Sequence, residues 1–491
     1  MFLNIFAFTN CTFMFFNSLN FALFLPIVFL LYWFVFNKNY KYQNILLLVA
    51  SYFFYACWDY RFLFLLVFST FLDYFTGIKM YEAGNEKLKK FWFWLSISIN
   101  LGFLGFFKYY NFFITSFEQA ILNLGIHIDV WTLKVILPVG ISFYTFHGLS
   151  YVIDIYYNRI KPEKNFIEYS VFVSYFPLLV AGPIERATHL LPQIQRERTF
   201  NYHYAIDGLK QILWGLFKKI VVADNCAKLV TTIFAGSDHL SGSTLALGAI
   251  FFAFQIYGDF SGYSDIALGV SKLFGIDLLR NFAFPYFSRD IAEFWRRWHI
   301  SLSTWFRDYL YIPLGGSKGG TWLKVRNTFI IFLVSGFWHG ANWTFLVWGL
   351  LHAIYFLPLL LLNKNRTHLE TIASGTTFPT FKEAASMLST FSLVCIAWVF
   401  FRANTVTQAV HYLQSMFSWS LFTKPSLVPF KEFSILFLFI ILEWMGREQQ
   451  YAIAKIGASN PRWVRWSLYY AIIIMLFLFM GKEETFIYFQ F

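Results

Sequence analysis

The chain has 491 residues, of which 58% are hydrophobic, 23% aromatic and 13% charged, whereas soluble domains run at roughly 45–50% apolar and about 25% charged. This excludes an ordinary soluble fold. The apolar runs are continuous rather than alternating, which excludes a β-barrel, so the chain reads as an all-α, polytopic integral membrane protein. The net charge of +12 does not indicate a nucleic-acid partner. Its basic residues fall mainly between apolar runs, as at Lys38 and Lys41, Lys87 to Lys90, Lys218 and Lys219, Arg296 and Arg297, and Lys318 to Arg326, and so fit the positive-inside pattern.

In chain order, residues 1–16 form an apolar stretch without a basic flank, expected to lie at the membrane interface. No signal peptide is evident, because the first basic residue is Lys38. The first membrane segment is expected to act as its own insertion signal. Candidate spans follow at 21–36, 44–58, 62–79, 91–113, 134–156, 167–182, 206–233, 243–270, 327–343, 344–362, 386–401, 433–445 and 466–481. Several are short or broken by Gly or Pro. A span needs roughly 20 residues, which leaves about eleven or twelve true spans and makes the rest re-entrant or interfacial. No internal repeat is evident, and the longest polar stretches are only 186–203 and 363–384. A single membrane domain over 1–491 is expected, with its motif-bearing core at about 131–360. Cys11, Cys57, Cys226 and Cys395 show no metal spacing and read as small apolar packing residues.

Four segments carry possible chemistry. In LLVAGPIERATH, 178–189, Gly182 and Pro183 stop a span, and Glu185 with Arg186 opens a polar loop. In QIYGDFSGYSDIALG, 255–269, Asp259 and Asp265 sit within an apolar span, with Ser261, Tyr263 and Ser264 between them. Carboxylates at membrane depth are costly unless satisfied. The hydroxyls can donate to them, and Gly258, Gly262 and Gly269 allow a broken helix lining a cavity. Two readings stay open: a polar wall of a substrate tunnel, or a structural knot held by its own hydrogen bonds.

The segment from Phe284 to Lys324 mixes charges with aromatics. Helical spacing places Ile291, Phe294, Trp295, Trp298, Leu302, Trp305 and Phe306 on one broad stripe, which suits an amphipathic helix at the interface. Glu293 and Arg297, four apart, can pair, and His299 leans toward the apolar face. The PLGGSKGG stretch, 313–320, lacks the strand and the GKS or GKT ending of a P-loop. It reads as an interfacial turn whose amides, with Lys318, could meet a phosphate-bearing donor.

The run FIIFLVSGFWHGANWTFLVWGLLHAIYFL, 329–357, holds no Lys, Arg, Asp or Glu, yet contains His339, Asn342 and His352. A titratable ring in lipid-like surroundings is a functional candidate. Forty residues separate His299 from His339, enough chain for a helix, a glycine turn and a second span to bring them together. One imidazole can serve as a general base on a hydroxyl while the other orients or polarises a reactant. Desolvation is expected to keep the base neutral, and Trp338 or Asn342 N–H groups, or His299, could stabilise an oxyanion. Zinc is disfavoured, because no HExxH or Cys/His cluster accompanies the histidines. No GxSxG nucleophile elbow is present.

Taken in order, VAGPIER, YGDFSGYSDIALG, FWRRWHISLSTWFRDYLYIPLGGSKGG and VSGFWHGANWTFLVWGLLHA resemble the membrane-bound O-acyltransferase family, most closely its alginate O-acetylation branch. ILPVGISFYTFHGLSYVIDIYY, 136–157, and the terminal FIYFQF extend the resemblance to most of the chain. It implies a ring of helices around a tunnel in a locally thinned bacterial inner membrane. It makes His339 catalytic with His299 as partner; the residues' own reading adds Asp259, Ser261, Tyr263, Asp265, Trp338 and Asn342 as expected tunnel residues and Arg307 and Lys318 as an expected donor-side loop. No cofactor is bound permanently and no metal is expected. Acetyl-CoA or another acyl thioester would donate from the cytoplasm toward hydroxyls of an exported or cell-wall polysaccharide, directly or through an extracytoplasmic acetyltransferase partner. Peptidoglycan O-acetylation and D-alanyl transfer to teichoic acid are alternatives. A proton-coupled transporter using the aspartates and buried histidines as a relay is an alternative of a different class.

Overall fold

The computed structural model describes residues 14–128, 130–133, 136–180, 182–455, 461–481 and 486–487, and no strand occurs among them. Cys11 and most of the expected N-terminal interfacial stretch lie outside these residues. Among the described residues, six helices are long and apolar enough to cross a membrane: Tyr40–Tyr81, Glu86–Leu122, Gly242–Leu273, Trp343–Leu361, Phe381–Arg402 and Arg462–Phe479, with a shorter apolar helix at Leu19–Val35. The protein is a multi-pass membrane protein. The expected count of eleven or twelve full-length spans is not matched by helix length, because several apolar runs form helices too short to cross alone. The run 167–182, for instance, is helical only over Phe166–Ser174.

The chain forms two compact units, one of residues 1–208 with 267–279, the other of 209–266 with 280–491. The first contains α1 (Leu19–Leu30), α2 (Tyr40–Tyr81), α3 (Glu86–Leu104), α4 (Tyr110–Leu122), α5 (Ile141–Tyr156), α6 (Phe166–Ser174) and α7 (Ala187–Ile194). The expected spans 44–58 and 62–79 are one helix, α2, kinked at Asp59 (φ −162°, ψ 109°), whose carboxylate turns outward to Arg61 at 2.6 Å. Further along α2, buried Asp73 accepts from Ser96 Oγ at 2.6 Å and Asn100 Nδ2 at 2.7 Å, tying α2 to α3. Gly148 of α5 leaves the space that the Asp73 carboxylate occupies. Fourteen of the sixteen residues of α5 are buried, the polar Ser142, Thr145, His147, Ser150 and Asp154 among them.

Helix α8 (Tyr202–Leu216) passes from the first unit into the second, where a π-helical stretch, Phe217–Ala223, continues it into α9 (Asp224–Ala235). Helix α10 (Gly242–Leu273) lies mostly in the second unit. It is followed by α11 (Ile291–Arg297), α12 (Ile300–Phe306), α13 (Gly320–His339), α14 (Trp343–Leu361), α15 (Phe381–Arg402), α16 (Val406–Met416), α17 (Phe430–Met445) and α18 (Arg462–Phe479).

Two local expectations are overturned. First, α10 runs unbroken through Gly258 and Gly262, so these glycines are not helix breaks. They let backbones approach: a Cβ on Gly262 would stand 2.8 Å from the Gly215 carbonyl oxygen, and one on Gly215 would stand 2.6 Å from that of Gly262. Second, Lys218 and Lys219 are buried within the helical stretch that follows α8, not in a cytoplasmic loop.

Candidate active site

Helices α13 and α14 form a tight hairpin built on small residues. A Cβ on Gly336 would stand 2.2 Å from the Phe345 carbonyl oxygen, and one on Gly349 would stand 2.3 Å from that of Phe332. The last residue of α13 is His339, and the extended Gly340 then ends the helix. Asn342 caps α14: its Oδ1 accepts from Thr344 N at 3.0 Å and its Nδ2 donates to Asn404 O at 2.9 Å. The oxygen and one amide hydrogen are thus engaged in structure, and Asn342 serves as a helix cap. His339 is 4% exposed, with ring centroids of Trp338, Trp348 and Phe401 at 5.0, 5.1 and 5.3 Å.

His299 arrives by a different route. The expected stripe is buried or half-buried throughout, but the helix carrying it is broken at Trp298 and His299. His299 adopts a left-handed backbone (φ 43°, ψ 55°), unusual for a residue other than glycine. This break turns its ring into the interior, where it is 1% exposed. Burial pushes its pKa down to about 3, so the ring is neutral at physiological pH. It packs edge-on to Phe260 at 4.6 Å and lies 6.1 Å from Trp338. The Trp338 ring is therefore shared by both histidines, whose ring centres stand at most about 11 Å apart. Glu293 and Arg297 pair as expected, at 2.8 Å.

Asn281, which carried no signal in the sequence, holds His299. Its Oδ1 lies 3.0 Å from His299 Nδ1 and accepts from Ser301 Oγ at 2.8 Å, while its Nδ2 donates to Ser264 Oγ at 3.2 Å. The backbones of the two segments are also joined, by Ile300 N to Asn281 O and Ala283 N to Arg297 O, each 2.9 Å. A third histidine, His352, is fully buried and accepts at Nδ1 from Trp295 Nε1 at 3.2 Å. It was visible as a titratable ring in the charge-free run, but no spacing assigned it a partner.

The polar segment of α10 is satisfied by lysines. Lys218 Nζ lies 2.5 Å from Asp265 Oδ2 and donates to Ser261 Oγ at 2.9 Å, and Gln211 Nε2 donates to Asp265 Oδ1 at 2.7 Å. Lys219 Nζ sits 2.8 Å from both Asp259 and Asp224. The other Asp259 oxygen accepts from Ile487 N at 2.7 Å. Tyr263 packs against Phe486 with tilted rings, centroids 5.1 Å apart. The expected satisfaction of the carboxylates by neighbouring hydroxyls is thus replaced by ion pairing. Buried charges persist only when paired and hydrogen-bonded. The sequence did hold a signal: Lys218 and Lys219 fall inside the apolar run 206–233.

Beside α13 lies a cavity of about 220 Å³. Trp295, Phe306 and Phe332 supply aromatic wall, Arg307 and Arg366 supply positive charge, and Ser335, one turn before His339, also lines it. Arg307 also binds Asp308 at 2.7 Å. The 313–320 turn borders this cavity through Ser317, with Lys318 exposed next to it. Asn327 holds the turn by donating to the Leu314 and Gly316 carbonyls at 3.3 and 3.1 Å. Among the described residues no group of three or more His, Cys, Asp or Glu is arranged to hold a metal.

In the first unit, Glu185 lies in the loop before α7, as expected, but is fully buried there. Its backbone N donates to His147 Nε2 at 3.2 Å. Its carboxylate accepts from Leu279 N at 2.6 Å and pairs with His189 at 2.8 Å. Burial raises the Glu185 pKa, and the hydrogen bond to Glu185 raises that of His189.

Residues 157–388 match the sequence model of the membrane-bound O-acyltransferase family. A protein of Pseudomonas aeruginosa described as a "probable alginate O-acetylase" is 38% identical, the match covering 87% of this chain and 80% of that one. Its Pseudomonas putida counterpart is 35% identical, with coverage of 96% and 98%. A peptidoglycan O-acetyltransferase of Helicobacter pylori is 37% identical, with coverage of 80% and 77%.

Proposed function

Since the chain belongs to the membrane-bound O-acyltransferase family, we propose that it moves an acetyl group from a thioester donor to a hydroxyl of an exported or cell-wall polysaccharide, with His339 as the proton acceptor. The observation that carries this reading is the pair of buried imidazoles, His339 and His299, sharing one Trp338 ring.

A free hydroxyl is a weak nucleophile at neutral pH and needs a base beside it. Neutral His339 takes the hydroxyl proton as the oxygen attacks the thioester carbonyl. The tetrahedral intermediate collapses with cleavage of the C–S bond, and the thiolate leaves with the proton returned from His339. The indole N–H of Trp338, whose ring neighbours both imidazoles, would donate to the oxyanion. No acyl-enzyme intermediate is needed. The cavity beside α13 suits the donor: its arginines match phosphate groups, its aromatic wall an apolar arm, and Ser335 marks the end toward His339. Lys318 and the 313–320 turn extend this positive mouth. Acetyl-CoA or another acyl thioester is the donor on this reading. The protein sits in a bacterial inner membrane, receives the donor from the cytoplasm and hands the acetyl group to the glycan or to an extracytoplasmic acetyltransferase.

Peptidoglycan is the second acceptor reading, favoured by the Helicobacter pylori relative. Mass spectrometry of surface glycans from cells with and without the active protein separates the two. A positioned general base contributes about 10²–10⁴-fold. His339→Ala should therefore lose acetylation by that factor at unchanged membrane abundance. Near-normal acetylation in that variant sinks the proposal.

A further inference from the structure

We propose that Asn281 is a positioning residue that fixes the tautomer of His299, so that Nδ1 carries the hydrogen and Nε2 is offered to a substrate hydroxyl as a hydrogen-bond acceptor. This rests on the reading of His299 as part of the active site.

The geometry decides which amide atom faces the ring. The Ser301 backbone N–H, which can only donate, points at the same Asn281 atom as His299 Nδ1, at 3.4 Å, and the Ser301 hydroxyl reaches it at 2.8 Å. That atom must be the carbonyl oxygen. The opposite, NH₂ end donates to Ser264. A carbonyl oxygen only accepts, so the His299 nitrogen 3.0 Å away must carry its hydrogen. A neutral imidazole has one N–H, which leaves the lone pair on Nε2. That atom is buried and has no hydrogen-bond partner among the described residues.

The surroundings make this arrangement rigid. The left-handed backbone of His299 is a sparsely populated state that persists only where neighbouring structure imposes it, and such states gather at functional sites. The backbone bonds joining 281–283 to 297–300 impose it here. Phe260 at 4.6 Å and Phe282 at 6.4 Å flank the ring. A buried acceptor with no protein donor, in so constrained a site, is suited to accept from a substrate O–H. One chemical consequence follows. With its one N–H committed to Asn281, His299 cannot donate to an oxyanion, so its expected role as an oxyanion stabiliser passes to an N–H elsewhere, and His299 instead holds a second hydroxyl of the acceptor while the attacking hydroxyl gives its single hydrogen to His339.

The test uses the full-length protein in lipid nanodiscs with ¹⁵N-labelled histidine, the His299 signals being assigned by their loss in His299→Gln. Wild type at neutral pH should show a protonated Nδ1 and an unprotonated Nε2. Asn281→Asp, which keeps an acceptor oxygen, should preserve this pattern, and Asn281→Ala should lose it. Acetyl-CoA consumption in the presence of an oligosaccharide acceptor should fall at least about tenfold in kcat for Asn281→Ala, since a displacement of about 1 Å in a held reactant costs up to about 100-fold. The donor KM should be unchanged, and Asn281→Asp should restore most of the rate. A protonated Nε2 in wild type, or an unchanged pattern and rate in Asn281→Ala, overturns the proposal. Wild-type turnover in His299→Ala, with the predicted tautomer intact in the unmutated protein, overturns the active-site reading and leaves the tautomer assignment standing.

Discussion

The α13–α14 hairpin sets where His339 points, and Gly336→Ala tests that directly. The new Cβ would stand 2.2 Å from the Phe345 carbonyl oxygen, whereas ordinary contact begins near 3.4 Å. The obstacle is helix backbone, so α14 must retreat by about 1.2 Å at that level, three residues from His339. Overpacking of this kind costs about 1–3 kcal/mol, which a multi-pass fold tolerates. A displacement of about 1 Å at a reacting group, by contrast, costs on the order of 100-fold in rate. The expected result is a protein inserted at normal abundance with acetylation reduced about 100-fold. The assay is acetate released from surface glycan by mild base, normalised to the protein in the membrane fraction by immunoblot. Gly349→Ala, whose Cβ would stand 2.3 Å from the Phe332 carbonyl oxygen, should behave alike. Gly102→Ala is the control, since its Cβ would meet nothing within 4 Å. Parental acetylation by Gly336→Ala at equal abundance would refute the claim that hairpin closure positions the base.

Two further perturbations probe the buried charges. Lys218→Met leaves Asp265 without its ammonium partner, and removing one member of a buried pair costs about 3–5 kcal/mol. The melting temperature in detergent should fall clearly, and Lys218→Met combined with Asp265→Leu should recover most of the loss. An unchanged melting temperature in the single variant would refute the pairing. For the Glu185–His189 pair, both folded-state pKa values lie above their ordinary values, by burial for Glu185 and by the shared hydrogen bond for His189. The folded state thus holds protons more tightly than the unfolded one, and stability must decline as pH rises. The His189 contribution is complete below about pH 6.5, its unfolded value, and is lost as pH climbs through the raised value. The melting temperature should drop between pH 6 and pH 8.5 in the parent and less steeply in His189→Gln; equal slopes would contradict this.

The sequence by itself determined the solvent of this protein, its helical class and two histidines that the fold buries, His299 and His339. Composition decides the first, because 58% hydrophobic residues cannot be hidden in water. Continuous apolar runs decide the second. His339 and His299 were legible because an imidazole in apolar surroundings has a cost that a linear pattern exposes. The Glu293–Arg297 pair was legible because four-residue spacing is a property of the helix alone.

Tertiary structure decided what each polar group faces. Lys218 and Lys219 resemble loop charges until the Gly215–Gly262 crossing brings their segment against Asp259 and Asp265. Asn342 read only as an oxyanion donor, whereas its amide also caps α14 and bonds the Asn404 carbonyl. Asn281 was silent, since nothing over a separation of eighteen positions announces a turn at His299 that makes the two side chains neighbours. The physical reason is common to all three. Burial is written along the chain as hydrophobicity, but a hydrogen bond depends on angstrom-scale distances between segments that are remote in sequence, and only the packed helices set those distances.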